Sequence, residues 1–171
     1  MKEVVTPEDQ DFMNDKYFRI CDELLRLEVV KGHLNWSVSE VARASEVTRS
    51  LIYYYFGKSK EELLEEASRH MIHTIYGNSD NAHLGVENRC KKVVGFLRKN
   101  PNLFVYWYKN RGKDNSVGRL IEEKEERAFK VIKSYYPNLD ETEIYIIQAL
   151  QISAVAMQWD DETIERVFSK Y

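Results

Sequence analysis

The segment from Ser37 to Leu63 constrains the fold of this chain more than any other, because it contains the start signals of three short helices. Ser37 and Glu40 form an S-x-x-E capping box, in which each residue satisfies a backbone N–H group of the other. Thr48 is a favourable N-cap for a second helix. Another S-x-x-E box begins at Ser59 and starts a third helix. The spacing therefore predicts three helices separated by two sharp turns.

Two helices joined by a turn of three or four residues describe a helix-turn-helix motif. In that motif the second helix lies in the major groove of DNA and contacts base edges with its N-terminal residues. The second helix here is predicted over Thr48–Tyr55, and it begins with Arg49 and Ser50. Because an arginine can donate two parallel hydrogen bonds to guanine, this pattern predicts a helix that reads DNA.

Three consecutive tyrosines, Tyr53, Tyr54 and Tyr55, follow on the same helix. Neighbouring residues on a helix are about 100° apart, so the three rings cannot all face one core. Their phenolic groups are suitable donors for phosphate oxygens. Lys60 adds a cation beside the free backbone N–H groups of the third helix. The alternative interpretation is a small helical bundle with an aromatic patch in its core.

The stretch from Lys16 to Ala67 resembles the DNA-binding domain of the TetR/AcrR family of one-component transcriptional regulators. Four runs carry the similarity: G-H-L-N-W-S-V-S-E-V-A from Gly32, A-S-E-V-T from Ala44, I-Y-Y-Y-F from Ile52 and S-K-E-E-L from Ser59.

Two features depart from the family pattern. Glu46 stands where a turn glycine is common, and a non-glycine residue with a positive φ costs on the order of 1 kcal/mol. Gly57 and Lys58 make the link before Ser59 one residue longer than usual. The first departure predicts a slightly different turn, and the second affects how Lys60 would be placed on a phosphate.

The resemblance implies a role for each matched polar residue. It implies base contacts from Arg49, Ser50 and Tyr54, and phosphate contacts from Ser37, Thr48, Tyr53, Tyr55 and Lys60. It also implies an all-α fold, and the start and stop signals predict about nine helices. Residues 1–67 would form the homeodomain-like helix-turn-helix domain, and residues 68–171 a helical domain for effector binding and dimerisation.

Helix start and stop signals continue along the rest of the chain. An N-terminal helix is predicted from the cap Thr6 to Gly32, and the third helix of the motif is predicted to run on to Tyr76 before a polar break at residues 77–81. Five further helices are predicted at 84–99, 102–110, 116–136, 140–158 and 161–171.

The helix predicted over 140–158 is apolar on all sides, so it needs burial on more than one side. In a chain of 171 residues the second side is most simply a copy of the same helix. This predicts a homodimer built as a four-helix bundle from two helices per subunit. Its interface is assigned to Ile144, Ile147, Gln151, Val155, Ile164 and Phe168. The alternative is a central core helix in a monomer.

A cluster of aromatic residues on the short helix at 102–110 is typical of the wall of a small-molecule pocket. We assign Phe104, Trp107 and Tyr108 to that pocket, together with Gln148 from a later helix. Ordinary core packing is the alternative for the same aromatic stripe.

The net charge of −3 is not typical of a nucleic-acid binder, but the distribution of charge is. Residues 31–60 contain five basic and two acidic residues, which gives +3 and leaves −6 for the remainder. A basic patch on an acidic body favours binding of DNA through one face.

Several classes of protein are excluded by what the sequence lacks. Cys21 and Cys90 show no C-x-x-C spacing, which is typical of thiols in a reducing cytoplasm. No apolar run of about 18 residues is present. There is no Walker loop, dinucleotide fingerprint, nucleophile elbow or H-E-x-x-H motif. We therefore expect no enzymatic activity, cofactor, metal or membrane partner, and a bacterial cytoplasmic location, at the nucleoid when bound to DNA.

These inferences predict a sequence-specific transcriptional regulator. It would be a repressor that an unknown small-molecule effector releases from a palindromic, double-stranded DNA operator. One alternative is an effector-independent DNA-binding protein that answers to a protein partner. The other is a helical interaction module that does not bind DNA.

Overall fold

The computed structural model describes the backbone of residues 7–76 and 84–171 and the side chains of residues 15–76 and 84–171. The described parts contain nine α-helices and no β-strand, which confirms the predicted all-α class. The helices are α1 (Pro7–Lys31), α2 (Val38–Ala44), α3 (Arg49–Phe56), α4 (Lys60–Tyr76), α5 (Val86–Lys99), α6 (Pro101–Asn110), α7 (Ser116–Tyr135), α8 (Glu141–Ala156) and α9 (Asp161–Phe168). The predicted cap Thr6 and the predicted break at residues 77–81 lie outside the described residues.

The predicted capping residues are found at the starts of four helices. Ser37 caps α2 and Thr48 caps α3. The Ser59 hydroxyl, just before α4, accepts a hydrogen bond from the backbone N–H of Glu62 at 3.2 Å. Asp140 and Glu143 form a complete capping box at the start of α8. These side chains satisfy N–H groups that the first turn of a helix leaves without an intrahelical partner.

The chain divides into two compact units, Met1–Met71 and Ile72–Tyr171. α4 begins in the first unit and ends in the second. In the first unit α1 packs on α2 and α2 packs on α3. The largest fully buried side chains there are Ile20, Leu24, Leu25, Trp36, Ile52, Leu63 and Met71. The predicted domain boundary after residue 67 falls inside α4, and the functions assigned to the two domains stay predictions.

α5 is the central helix of the second unit, because it packs against α6, α8 and α9. The main core cluster of this unit includes Cys90, Val94, Leu97, Ile144, Ile147, Val155, Ile164 and Phe168. A smaller cluster joins Ile72, Trp107 and Ile121, which belong to α4, α6 and α7.

The burial of α8 and α9 corrects the residues assigned to the dimer interface. Five of the six residues, Ile144, Ile147, Val155, Ile164 and Phe168, are buried inside the chain's own core. The sixth, Gln151, is half-buried and donates a hydrogen bond to the Sγ atom of Cys90 at 3.2 Å. The physical reason is that α5 covers this side of both helices. A dimer would therefore have to use a different face, and dimerisation itself stays a prediction.

Within the described parts of the chain, no helix combines the length and the hydropathy that crossing a membrane requires. Cys21 and Cys90 are both buried and form no disulfide. Burial raises the pKa of the Cys90 thiol to about 12 and that of Cys21 further still, so both thiols stay protonated at neutral pH.

Candidate nucleic-acid interface and internal cavity

The turn between α2 and α3 is a Schellman motif. The backbone N–H of Val47 donates to the carbonyl of Ala42 at 2.9 Å, and that of Glu46 donates to the carbonyl of Arg43 at 3.4 Å. Glu46 has φ +57°. It is therefore a non-glycine residue in the left-handed region, the conformation that a turn glycine would adopt, and the expected difference in the turn stays a prediction. Buried Ser45 holds the end of α2 by donating its hydroxyl to the carbonyl of Val41 at 2.8 Å.

This turn presents the N-terminal end of α3 to solvent. Thr48 caps the helix by accepting a hydrogen bond from the backbone N–H of Leu51 at 3.2 Å. Ile52 and Phe56 are buried and anchor the opposite side of α3 in the first unit. Arg49 and Ser50, which were predicted to contact bases, are consequently exposed.

The three tyrosines of α3 point in different directions, as the helical spacing requires. Tyr54 is 79% exposed and Tyr53 is 41% exposed. Tyr55 is half-buried, and its ring meets that of Tyr17 edge-on at 5.6 Å between centroids. Tyr53 and Tyr54 are therefore open to an external partner. Tyr55 packs within the domain, and its predicted phosphate contact stays a prediction.

Ser37 lies exposed at the start of α2, inside a complete capping box. Its backbone N–H donates to the Glu40 carboxylate at 2.9 Å, and the backbone N–H of Glu40 donates to the Ser37 hydroxyl at 3.3 Å. Lys31 also donates to the same carboxylate. These bonds, with the one from Lys31 contributing most, lower the pKa of Glu40 from 4.5 to about 2.

Lys60 is held by the first unit and does not extend freely into solvent. Its Nζ atom donates to the backbone carbonyl of Leu34 at 2.9 Å and lies 5.7 Å from the centroid of the Trp36 ring. An ammonium group has three donors, so this bond leaves others for a phosphate. The predicted phosphate contact is compatible with this position and remains untested.

The link before α4 depends on Gly57. This residue has φ +102°, and an added Cβ atom would lie 2.7 Å from Oε2 of Glu62. The same oxygen accepts hydrogen bonds from the backbone N–H groups of Lys58 and Ser59 at 2.7 and 3.0 Å. The longer link is therefore ordered by the carboxylate that caps α4.

Glu28 is an organising residue that the sequence reasoning missed. Although it is a carboxylate, it is only 6% exposed. Its two oxygens contact the imidazole of His33 at 2.9 Å and accept from the backbone N–H of Leu34 at 3.0 Å and the indole N–H of Trp36 at 2.7 Å. The available signal was a charged residue four positions after Leu24, within the apolar stripe of α1. Glu28 fixes the turn that leads into α2.

The exposed cations around α3 differ in whether they are already paired. Lys31 is bound by Glu40, and Arg19 donates to the Glu46 carboxylate at 3.0 Å. Arg43 and Arg49 are exposed and form no ion pair with a carboxylate in the described parts of the chain. Those two guanidinium groups are the ones best placed to meet an external anion or an electronegative base edge.

The second unit contains a partly open cavity of about 680 Å³. Its walls are mainly apolar and include Val93, Phe96, Leu97, Phe129, Ile132, Ile144 and Ile147. His73, Ile75 and Tyr76, at the end of α4, also line it. This volume lies within the range of small-molecule sites.

The cavity includes Gln148 but not the three aromatic residues that were assigned to a pocket. Trp107 is buried in the smaller core cluster, and Phe104 packs against both clusters. Tyr108 is 62% exposed. The pocket assignment is therefore corrected for these three residues, because the aromatic stripe of α6 fills the core and continues onto the surface.

A polar network connects the end of α4 to this cavity. The indole N–H of Trp107 donates to the Tyr76 hydroxyl at 2.8 Å, and that hydroxyl donates to the Glu125 carboxylate at 3.1 Å. Glu125 also pairs with Arg111 at 2.8 Å, and Gln148 approaches the same oxygen at 3.4 Å. Burial and the Glu125 charge raise the pKa of Tyr76 above its ordinary value, so the phenol stays protonated.

The short helices, the turn and the exposed N-terminal end of α3 define a helix-turn-helix protein of the DNA-binding class. Residues 20–67 match the profile of a family described as bacterial regulatory proteins, tetR family. Residues 20–67 therefore form a DNA-binding domain of the tetR type, which supports a role in transcriptional regulation. A search of curated proteins gave no match.

Solved structures show the same fold along almost the whole chain. A TetR family transcription regulator from Marinobacter aquaeolei VT8 has 15% identity and a TM-score of 0.65, covering 94% of this chain and 95% of that one. A TetR-like transcriptional regulator from Rhodococcus sp. RHA1 has 12% identity and a TM-score of 0.62, with coverage of 90% and 91%. The TetR family transcriptional regulator PfmR from Thermus thermophilus has 16% identity and a TM-score of 0.61, with coverage of 97% and 95%.

Proposed function

We propose that the chain is a repressor that binds a pseudo-palindromic operator as a homodimer and leaves it when a small molecule occupies the cavity of the second unit. The observation that carries this proposal is the path of α4. This helix starts at Lys60, directly after the helix-turn-helix, and its last turn lines the cavity with His73, Ile75 and Tyr76. An event in the cavity can therefore act on a helix that begins in the DNA-binding unit.

On the DNA side, Arg49, Ser50 and Tyr54 are proposed to contact bases, and their exposure supports this. Ser37, Thr48, Tyr53, Tyr55 and Lys60 are proposed to contact phosphates. Phosphate contacts fix the orientation of a protein on the duplex, whereas base contacts supply specificity. A regulator of bacterial DNA would carry out this task in the cytoplasm, at the nucleoid.

The outer face of α8 supports the proposed homodimer. Ile146 is 43% exposed. Ala149, Ser153 and Ala156 continue from it at helical spacing, and Ala149 and Ala156 are also exposed. Small side chains allow two helices to approach closely, and a helix that meets its own copy gives a closed, two-fold interface. Two recognition helices about 34–36 Å apart would then match the half-sites of a palindrome.

The proposed switch is an equilibrium between two arrangements of α4. In the arrangement described here, Tyr76 is hydrogen-bonded to Trp107 and Glu125. A ligand can shift this equilibrium only to the extent that it binds the two arrangements with different affinity. A regulator that answers only to a protein partner has no need for a cavity of about 680 Å³, which favours the small-molecule alternative.

The test begins with selection of bound duplexes from a random DNA pool by the purified protein, with sizing of the complex. Enrichment of a palindrome bound by one dimer, or by a pair of dimers, would support the proposal. Binding that is weak, wholly salt-sensitive and without enrichment would overturn it. In vitro transcription from a promoter overlapping the selected site then tests repression, because added protein must lower the amount of transcript.

A test of effector release requires a variant in which the cavity is filled and the DNA-binding unit is unchanged. Val93→Trp places an indole in the cavity wall. We expect this variant to bind the operator and to lose the response to any compound that releases the wild type. A compound that releases both proteins equally would act elsewhere and would contradict the cavity as the effector site.

A further inference from the structure

One side chain of the cavity wall stands out chemically. Arg89 lies on α5, is half-buried and lines the cavity. Its guanidinium forms no ion pair with any carboxylate in the described parts of the chain. Arg111, another arginine of the lining, differs because Glu125 binds it at 2.8 Å. Arg89 is therefore a half-buried cation of the lining that no described carboxylate neutralises.

The surroundings of Arg89 make this charge unfavourable in the ligand-free protein. Burial lowers the pKa of the Arg89 guanidinium, and its electrostatic neighbours are the Cys90 thiol and the Tyr136 phenol. Burial raises the pKa of both neighbours, so neither is an anion at neutral pH. Arg89 also lies in the first turn of α5, where the helix dipole disfavours a cation.

The other charged residues of the cavity lining also carry a net positive charge. The basic residues on it are Arg89, Lys92, Arg111, Lys124, Arg127 and Lys130, and the acidic ones are Glu122, Glu125 and Glu126. The net charge of the described lining is therefore +3, with apolar side chains between the charges. A cavity of this kind attracts anions and rejects cations.

We propose that the effector is an apolar molecule with a single anionic group, such as a carboxylate, which pairs with the Arg89 guanidinium. The planar guanidinium matches a carboxylate by two parallel hydrogen bonds, and the apolar body of the ligand lies against Val93, Phe96 and Phe129. This inference rests on the proposed function, because it takes the cavity as the effector site. It adds the chemical class of the effector and the residue that selects it.

The test compares three probes with one apolar body: 4-phenylbutyrate, 4-phenylbutanol and 4-phenylbutylamine. Calorimetric titration of the full-length wild type should show that the carboxylate binds about tenfold or more tightly than the alcohol, with the amine weakest. Arg89→Met should remove the difference between carboxylate and alcohol and leave the affinity for the alcohol unchanged. Arg166→Met, which removes an exposed arginine of α9 outside the cavity lining, should behave like the wild type.

Thermal unfolding separates a binding role from a structural one. If Arg89 serves the ligand, Arg89→Met should raise the Tm of the ligand-free protein, because an unpaired, partly desolvated charge is removed. 4-Phenylbutyrate should raise the Tm of the wild type but not that of the variant. A lower Tm for the ligand-free variant would overturn the proposal, and so would a wild type that prefers the alcohol or the amine or binds none of the probes.

Parallel measurements with operator DNA distinguish a failure of the proposed function from a failure of the proposed anionic class of the effector. Release of the wild type from its operator by the alcohol or amine, and not by the carboxylate, would leave the effector site standing and reject the anionic class. Failure to bind any operator would reject the proposed function, while calorimetry would still show whether Arg89 selects a carboxylate.

Discussion

Arg49 projects from the first turn of α3, is exposed, and forms no ion pair with a described carboxylate. A bidentate pair between arginine and guanine contributes about 1–3 kcal/mol of discrimination between bases. We therefore expect Arg49→Ala to reduce the free energy by which the protein prefers the operator over a random duplex by about 1–3 kcal/mol. Equilibrium binding to the two duplexes at one salt concentration measures this preference.

Arg43→Ala is the matched control for Arg49, since Arg43 is another exposed arginine of the same unit and forms no ion pair with a described carboxylate. It lies at the end of α2 and should change affinity for both duplexes equally, if at all. An equal loss on both duplexes for Arg49→Ala would instead assign that residue to a phosphate contact.

Glu28 offers a second test at the scale of one residue. Glu28→Leu would leave the indole N–H of Trp36 and the backbone N–H of Leu34 without their acceptor, at a cost on the order of 2 kcal/mol in the free energy of unfolding. Glu28→Gln retains one carbonyl oxygen and should cost less. Urea denaturation followed by fluorescence measures both variants.

The control for Glu28 is Glu65→Gln, which removes an exposed ion pair with Arg69. Exposed ion pairs contribute little to stability, so the free energy of unfolding of this variant should be close to that of the wild type. If the free energy of unfolding of Glu28→Leu were also close to that of the wild type, Glu28 could not be the residue that holds the turn before α2.

At the scale of helices, the starts of α2 and α4 use the same device, a carboxylate that accepts backbone N–H groups. Because Glu40 has a folded pKa of about 2 against 4.5, its stabilising contribution is complete above 4.5 and is lost as the pH falls towards 2. Stability should therefore fall with acid, and Glu40→Gln should make that fall shallower.

Urea midpoints of the wild type and Glu40→Gln at neutral and acidic pH measure this effect. The two proteins should differ most at neutral pH and converge at acidic pH. Parallel curves would mean that Glu40 titrates at its ordinary pKa in the folded protein. Glu65→Gln is again a suitable control, because Glu65 shares no bond with a helix start in the described structure.

At the scale of the whole molecule, the proposed dimer depends on the outer face of α8. Ile146→Glu would place two like charges near each other across a two-fold axis. We expect this variant to be a monomer by sedimentation and to bind the operator with a weaker salt dependence, because one subunit makes half of the phosphate contacts. Tyr135→Glu, a change to an exposed residue of α7, should remain dimeric. A dimeric Ile146→Glu protein would exclude this face as the interface.

Local signals explain why so much of the first unit could be predicted. Capping boxes and turns are short-range patterns, so the starts of α2, α3 and α4 follow from residues within four positions of one another. The positive φ of Glu46, in contrast, was only a condition at the level of sequence, and the structure supplied it. Whether Arg49 or Tyr54 touches a base depends on DNA geometry, and those assignments stay predictions.

The second unit was harder to predict, because α8 is apolar on every side. Periodicity can show that such a helix needs two partners, but it cannot show which face each partner takes. The sequence placed Ile144 and Ile147 at a dimer interface, whereas α5 covers them within one chain. The aromatic stripe of α6 was similarly ambiguous between pocket and core, and packing placed Trp107 in the core.

The sequence by itself determined the all-α class, the helix starts and the helix-turn-helix, because each of these depends on neighbouring residues. Only the tertiary structure decided which residues surround the cavity, that Glu28 is buried, and that Arg89 lacks a described carboxylate partner while Arg111 has one. Those properties depend on contacts between residues far apart in the chain. Burial turns an ordinary charge into a costly one only when the folded chain brings those distant residues together.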